Sequence, residues 1–210
     1  MPSKTYRIAE LLLLFVLIPL SFFWSYPIWI KVGLGVVGFV YILVVIKKAA
    51  LFKFIKPPKT SWRPFFSEIG VKLLVIAIIT SCYVYLVAPD QWFAMLLQKP
   101  LVWLIILFVY SFFSVWPQEV LYRTFFFYRY ESLFGTKWGM ILANAILFSL
   151  AHIFLKSVLV LVLTFIGGLL FAYTYYTKRS TLLVSIEHAI YGNWLFTVGM
   201  GEMLAFPTPG

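Results

Sequence analysis

Five ionisable side chains lie within apolar stretches of the second half of the chain: Glu119, Arg123, His152, Glu187 and His188, which include both histidines of the sequence. An ionisable group inside a bilayer costs about 2.5–3.5 kcal/mol on insertion scales, so each is a functional-site hypothesis by default. A buried glutamate can deprotonate a water, and one glutamate with two histidines is also a ligand set for zinc. Both routes predict hydrolysis.

The spacing of these residues predicts which of them meet. Arg123 follows Glu119 at i+4, so both project from one face of a helix. Counting from the predicted turn between their helices, Glu119 and His152 each lie roughly 23 Å deep, where they would share a proton or a water. His188 lies roughly 12 Å into the last helix, so it reaches them only through helix tilt or a cavity.

Other chemistries are excluded by what the sequence lacks. Asp90 is the only aspartate, which rules out a pair of aspartates sharing a proton. The serine elbow G-x-S-x-G and the zinc motif H-E-x-x-H are absent. Cys82 is the only cysteine, so neither an intrachain disulfide nor a cysteine-rich metal site is expected.

The elements that must position these residues are membrane helices. The chain is 63% apolar and 11% charged, with a mean hydropathy of +0.97, whereas soluble domains are roughly 45–50% apolar and about 25% charged. This excludes soluble and disordered proteins, and the apolar runs do not alternate as barrel strands do. We predict an all-α polytopic bundle of about eight transmembrane helices, at about 11–24, 28–46, 71–88, 101–116, 118–134, 138–154, 158–176 and 181–200.

The chain is predicted to form a single integral membrane domain, 1–210. Residues 1–98 supply scaffold helices and a basic loop at 47–72, and residues 99–200 supply the catalytic helices. The N-terminal apolar run is interpreted as a membrane helix rather than a cleaved signal, because no small-residue cleavage site comes after it.

The formal net charge of +10 would suggest nucleic-acid binding in a soluble protein. In a membrane protein, basic loops instead follow the positive-inside rule and contact anionic headgroups. We therefore predict a multi-pass protein of the cell membrane with a cytoplasmic N-terminus and active site, and no nucleic-acid partner.

Three short motifs resemble those of the CPBP family, the CAAX proteases and bacteriocin-processing proteins also called Abi. They are Gln118-Glu119-x-x-x-Arg123, then Phe148-x-x-x-His152, then His188 in the last helix. The family's motifs are E-E-x-x-x-R, F-x-x-x-H and H-x-x-x-N/D on successive membrane helices. The match covers about residues 100–200 and keeps the order of the motifs.

The resemblance implies an all-helical bundle with a water-filled cavity open to the cytoplasm and an intramembrane endopeptidase activity. It makes Glu119 the water activator, Arg123 its positioning partner, His152 an assistant in water activation, and His188 an oxyanion donor. The family has been described as metal-dependent and as glutamate-dependent. We favour glutamate because Arg123 disfavours a nearby cation, and so predict no cofactor, with a divalent metal at Glu119, His152 and His188 as the open alternative.

The sequence departs from the family pattern at two positions. Gln118 replaces the first glutamate, and Gly192 stands at the place of Asn or Asp in the third motif. Asn193 comes one residue later, about 140° from His188 on a regular helix, and Tyr191 is an alternative accessory residue on the face of His188. Asn144 lies two turns before His152 on the same helix face. It is interpreted as a polar contact between helices or as a cavity-lining residue.

Structural interpretations stand beside each of these roles: an ion pair that neutralises itself, and interhelical histidines that hold helices together. Glu187 is expected beside the site rather than in it. The alternatives to a protease are a non-catalytic immunity or scaffold protein on the same fold, and a transporter or a haem-binding membrane protein. The expected partners are the lipid bilayer and a membrane-embedded or lipidated protein or peptide substrate.

Overall fold

A computed structural model of the chain describes residues 2–51 and 62–202. These residues form helices and connecting turns, with no strand among them. The helices are α1 (4–21), α2 (Ile28–Lys48), α3 (Trp62–Val87), the short α4 (Ala94–Gln98), α5 (Pro100–Leu133), α6 (Lys137–Leu150), α7 (Val158–Lys178) and α8 (Thr181–Val198). The predicted all-α membrane bundle is confirmed.

Five of the described helices are long and apolar enough to cross a membrane: Ile28–Lys48, Trp62–Val87, Pro100–Leu133, Lys137–Leu155 (α6 with the turn after it) and Val158–Lys178. Their outward faces carry exposed large apolar side chains, such as Trp29 at 80% and Leu86 at 78%. In water such a surface would be an aggregation hazard, whereas lipid tails cover it at no cost. The chain is a multi-pass membrane protein.

The predicted fourth and fifth helices are one continuous helix, α5. Pro117 lacks an N–H and clashes with the carbonyl four residues before it, which normally kinks or ends a helix. Here the π-helical segment Tyr110–Val115 precedes it and a second, Val120–Phe125, comes after it. The wider π turns accommodate the proline, so the predicted boundary between helices 101–116 and 118–134 is wrong.

The predicted basic loop 47–72 is shorter in the structure than in the sequence prediction. Helix α3 begins at Trp62 rather than at residue 71. Pro64 is compatible with a first helical turn, and Lys72 pairs with Glu68 at i+4 with a 3.0 Å distance. The loop's lysines 53, 56 and 59 lie outside the described residues.

Helices α6 and α7 form one side of the site, and they pack closely against each other. Gly168 faces the backbone of Ala145, and a Cβ built at this glycine would lie 2.9 Å from the Ala145 Cα. Small residues at such crossings let membrane helices pack backbone to backbone. Each helix begins at a hydroxyl cap, Thr136 for α6 and Ser157 for α7.

An aromatic cluster fixes α1 against α5. Phe15 packs edge-on against Tyr122, Phe126 and Tyr130, with ring centroids 5.1–5.8 Å apart. Nearer the N-terminus of α1, Glu10 is buried and accepts hydrogen bonds from Arg129 at 2.6 and 2.7 Å. These contacts hold the second half of α5, where most of residues 119–130 are buried, against α1.

Candidate active site

Glu119 is the centre of the buried polar cluster. It lies on the short α-helical stretch Trp116–Glu119 between the two π-helical segments of α5, and its side chain is 0% exposed. Its Oε1 accepts a hydrogen bond from Nδ1 of His188 at 2.7 Å. Its Oε2 lies 3.1 Å from Nε of Arg123, one turn along α5. Irregular π turns are frequent at functional sites, and here two of them flank the carboxylate.

The second oxygen of this carboxylate is incompletely satisfied. Although Oε2 of Glu119 is within ion-pair distance of Arg123, the angle is poor, and no described residue gives this oxygen a hydrogen bond. Buried polar atoms are rarely left this way, so each case calls for an explanation such as a water or a reacting group. The Oε2 atom is therefore the place where a water would be accepted.

Arg123 connects Glu119 to α6. Its side chain is 0% exposed, and its NH1 donates to Oδ1 of Asn144. The Asn144 amide in turn donates to the carbonyl of Tyr122 at 2.7 Å. The guanidinium lies over the rings of Phe148 and Phe171, at 4.9 and 5.9 Å from their centroids. Asn144 therefore orients the arginine from α6.

Both ring nitrogens of His188 are engaged. Nδ1 faces the Glu119 carboxylate, and Nε2 lies 3.1 Å from the hydroxyl of Tyr110. A neutral imidazole that donates from Nδ1 to a carboxylate must accept at Nε2, so the tyrosine hydroxyl donates to this nitrogen. Phe171 stacks on the ring at 4.2 Å. His188 thus joins α8 to α5 at the depth of Glu119.

His152 stands apart from the Glu119 carboxylate in the hydrogen-bond pattern. Helix α6 ends at Leu150 rather than continuing to Phe154, and His152 lies in the turn after it. Its Nδ1 donates to the carbonyl of Phe148 at 2.8 Å, which leaves the lone pair on Nε2. The Phe148 ring contacts both histidines, with centroids 5.0 Å from His152 and 5.8 Å from His188.

The direct hydrogen-bond partner of Glu119 differs from the one that the spacing suggested. The equal-depth estimate placed Glu119 opposite His152 with a shared proton or water, whereas the direct hydrogen bond of Glu119 among the described residues is with His188. The estimate treated His152 as part of a straight helix, but the residue lies beyond the helix end. It also treated α5 as regular, while the two π segments change which residues face α8.

The accessory candidates lie around this cluster with partners of their own. Gln118 donates to Ser114 Oγ at 2.8 Å, and Asn193 donates to Ser111 Oγ at 3.0 Å. Their carbonyl oxygens are buried without a hydrogen-bond partner among the described residues. Tyr191 donates to Glu187 Oε1 at 3.0 Å. These contacts direct all three side chains to neighbours other than Glu119 and the two histidines.

Two residues near the site were not singled out from the sequence. Tyr110 contacts His188, and Lys72 of α3 makes a 2.9 Å ion pair with the buried Glu187. On a regular helix Tyr110 lies nine residues and about 180° from Glu119, so helical periodicity alone does not predict that both residues contact His188. The Lys72–Glu187 pair places Glu187 toward α3, beside the site, in agreement with its expected position.

Of the three side chains proposed as alternative metal ligands, Glu119 and His188 contact each other, whereas His152 is hydrogen-bonded to the Phe148 carbonyl. Among residues 2–51 and 62–202, no three His, Cys, Asp or Glu side chains are placed to hold one metal ion. The Nδ1–H of His188 donates a hydrogen bond to Glu119, and the Arg123 guanidinium lies beside the other carboxylate oxygen, on the side where a cation would bind. The residues present do not fit a divalent ion held by Glu119, His152 and His188.

One comparison with known proteins matches the segment that carries this site. Residues 100–194 match the family model of the type II CAAX prenyl endopeptidase Rce1-like proteins. The resemblance drawn from the motifs is confirmed. The Rce1-like segment covers α5, α6, α7 and most of α8, a little under half of the chain, and contains Glu119, Arg123, His152 and His188. No curated protein and no solved structure matches the chain. The match supports a protease of the CAAX kind in a membrane setting.

Proposed function

We propose that the protein is an intramembrane endopeptidase that hydrolyses a peptide bond of a membrane-associated or C-terminally processed protein. The observation that carries the proposal is the buried Glu119 carboxylate, which is held by His188 at one oxygen and offers the other without an aligned hydrogen bond. The Rce1-like match of the same segment supports the reaction class.

In the proposed reaction, Glu119 acts as the general base. A water accepted by Oε2 gives up a proton to the carboxylate while its oxygen attacks the scissile carbonyl carbon. The tetrahedral intermediate then collapses, the carbon–nitrogen bond breaks, and the proton on Glu119 passes to the leaving amine. The atoms balance without any further reactant, and one water is consumed for each bond broken.

The other residues keep Glu119 ready for this step. Arg123 lies 3.1 Å from Oε2 of Glu119 and fixes the orientation of the carboxylate that accepts the proton. His188 donates to Oε1, so the lone pairs of Oε2 remain available to a water. His152 has its tautomer set by the Phe148 carbonyl, and its Nε2 is a second acceptor for the attacking water. With both nitrogens engaged, His188 serves as an oxyanion donor only if one partner releases it.

The substrate class that best fits the family is a prenylated C-terminal C-a-a-X sequence. The test uses protein purified in detergent and returned to lipid vesicles, with a quenched fluorescent peptide that ends in a farnesylated C-a-a-X sequence. We expect release of the last three residues as an intact tripeptide, identified by mass spectrometry. A wild-type protein that leaves this peptide and a non-prenylated transmembrane peptide both intact would favour a non-catalytic scaffold.

We also propose that the basic end of the bundle faces the cytoplasm. The start of α3 and the turns before α6 and α8 lie at this end, where Lys178 pairs with Glu68 and Arg179 with Glu131. The N-terminal part of α1 reaches the same end, since Arg7 contacts Ser132 and Tyr6 contacts Tyr41 of α2. The described basic residues at these positions are Lys4, Arg7, Lys47, Lys48, Arg63, Arg129, Lys137, Lys178 and Arg179. The opposite end carries Lys31, Lys99 and Lys156. This asymmetry supports the positive-inside orientation.

Cysteine labelling tests the orientation. In a Cys82→Ala background, Lys47→Cys is expected to react with a membrane-impermeant maleimide only from the cytoplasmic face. Lys156→Cys, at the opposite end, is expected to react only from the outer face. Labelling of Lys47→Cys in intact cells would contradict the proposed orientation.

A further inference from the structure

Tyr110 links α5 to His188, and the proposed reaction does not assign it a role. Its hydroxyl is 3.1 Å from Nε2 of His188, and its ring packs edge-on against Phe196 with centroids 5.0 Å apart. We propose that Tyr110 is a positioning residue for the proposed hydrolysis: its hydroxyl donates to His188 Nε2 and so keeps the imidazole proton on Nδ1, facing Glu119. Only the kinetic consequence of this inference rests on the proposed function.

Gly192 makes room for this contact. A Cβ built at Gly192 would lie 2.1 Å from the Tyr110 hydroxyl and 2.3 Å from the adjacent ring carbon. Any other residue at position 192 therefore forces the tyrosine to move. The hydroxyl fills the volume that a side chain at 192 would take, one turn of α8 beyond His188.

The π-helical segment of α5 brings the tyrosine to this place. Tyr110 is the first residue of the segment Tyr110–Val115. A π turn holds more residues than an α turn, so it rotates the helix before the turn relative to the helix after it. This rotation allows Tyr110 and Glu119 to approach the same imidazole from two sides, although a regular helix would place them about 180° apart.

The location of the imidazole proton decides whether Glu119 can act as a base. With the proton on Nδ1, the imidazole donates to an ionised carboxylate, and Oε2 stays free to accept a proton from water. With the proton on Nε2, a lone pair on Nδ1 faces the carboxylate. Glu119 must then carry a proton itself to make the hydrogen bond, and it can no longer take one from water. In the first arrangement the Tyr110 hydroxyl donates to the Nε2 lone pair, so both ring nitrogens are satisfied while the carboxylate stays ionised.

The first measurement reads the tautomer directly and requires no activity. The chain has two histidines, so in a His152→Gln background the only ¹⁵N-histidine signals come from His188. We expect a single Nδ1–H tautomer in this background and a mixture of tautomers once Tyr110→Phe is added. A spectrum that Tyr110→Phe leaves unchanged overturns the proposal, whatever the protein does to a peptide.

The second measurement is kinetic, on the chain with His152 intact. We expect Tyr110→Phe to lower kcat on the farnesylated peptide by about 10- to 100-fold, by analogy with the loss of groups that orient metal-bound imidazoles, with KM unchanged. Tyr130→Phe is the matched control, because it removes another tyrosine hydroxyl of α5, 3.0 Å from Glu10. An equal kcat loss in both variants means a merely structural role.

Gly192→Ala tests the same contact from the other helix. The added methyl displaces the hydroxyl from His188 while the tyrosine remains in the sequence. We expect it to reproduce both the mixed tautomer and the loss of kcat, and it decides the matter if Tyr110→Phe does not fold. A tautomer change without a kcat change also overturns the positioning role. If the wild type cleaves nothing, the proposed function fails while the tautomer result still stands or falls by itself.

Discussion

Glu119→Gln is expected to lower kcat on the farnesylated peptide by about 10²–10⁴-fold, the contribution typical of a general base. Glutamine keeps the size and one acceptor oxygen of the side chain, but it cannot take a proton from water at neutral pH. Initial rates of tripeptide release under saturating substrate measure the effect.

The control for this variant is Glu10→Gln. Glu10 is also a buried glutamate that pairs with an arginine of α5, at 2.6 Å from Arg129. Both variants remove one buried negative charge and leave one arginine unpaired, so both are expected to lower thermal stability. Glu10→Gln should retain kcat in its folded fraction. Wild-type kcat in Glu119→Gln would make the Glu119–Arg123 pair a structural feature only.

Arg123→Met is expected to lower the free energy of unfolding by about 3–5 kcal/mol, the cost of breaking a buried ion pair on one side. Both partners are 0% exposed, so the substitution leaves a buried carboxylate without its counter-charge. Asn144 Oδ1 also loses its donor. Methionine retains the apolar contacts with Phe148 and Phe171. Thermal or denaturant unfolding in detergent micelles measures the loss.

The double variant Glu119→Gln/Arg123→Met separates the charge effect from packing. Because it has no unpaired charge, we expect it to recover part of the stability that Arg123→Met loses, although it stays inactive. The difference from the sum of the single effects gives the coupling between the two side chains. A double variant no more stable than Arg123→Met would show that the two buried charges do not stabilise each other.

Much of the architecture can be predicted from the sequence because bilayer helices need long apolar runs, and these are visible without a structure. The Glu119–Arg123 pair is predictable too, since residues at i and i+4 share a helix face. The segments that position the chemistry are less visible. Pro117 suggests a helix boundary, yet π turns on both sides carry the helix through it.

The partners of the site residues depend on those irregularities. The helix end at Leu150 moves His152 into a turn, and no periodicity argument places a side chain after a helix end. Tyr110 is hidden because nine residues of regular helix put it opposite Glu119. Gly192 departs from the motif, and only its close approach to Tyr110 gives that departure a physical meaning.

The most direct test of Glu119 as a base is the fate of the water oxygen in a single turnover. Excess wild-type protein is mixed with the farnesylated peptide in H₂¹⁸O, and the products and a digest of the protein are examined by mass spectrometry. We expect ¹⁸O in the new carboxylate of the shortened peptide and none in the fragment that contains Glu119. Label in the Glu119 side chain would mean that this carboxylate attacks the substrate itself, which would contradict its assignment as the base.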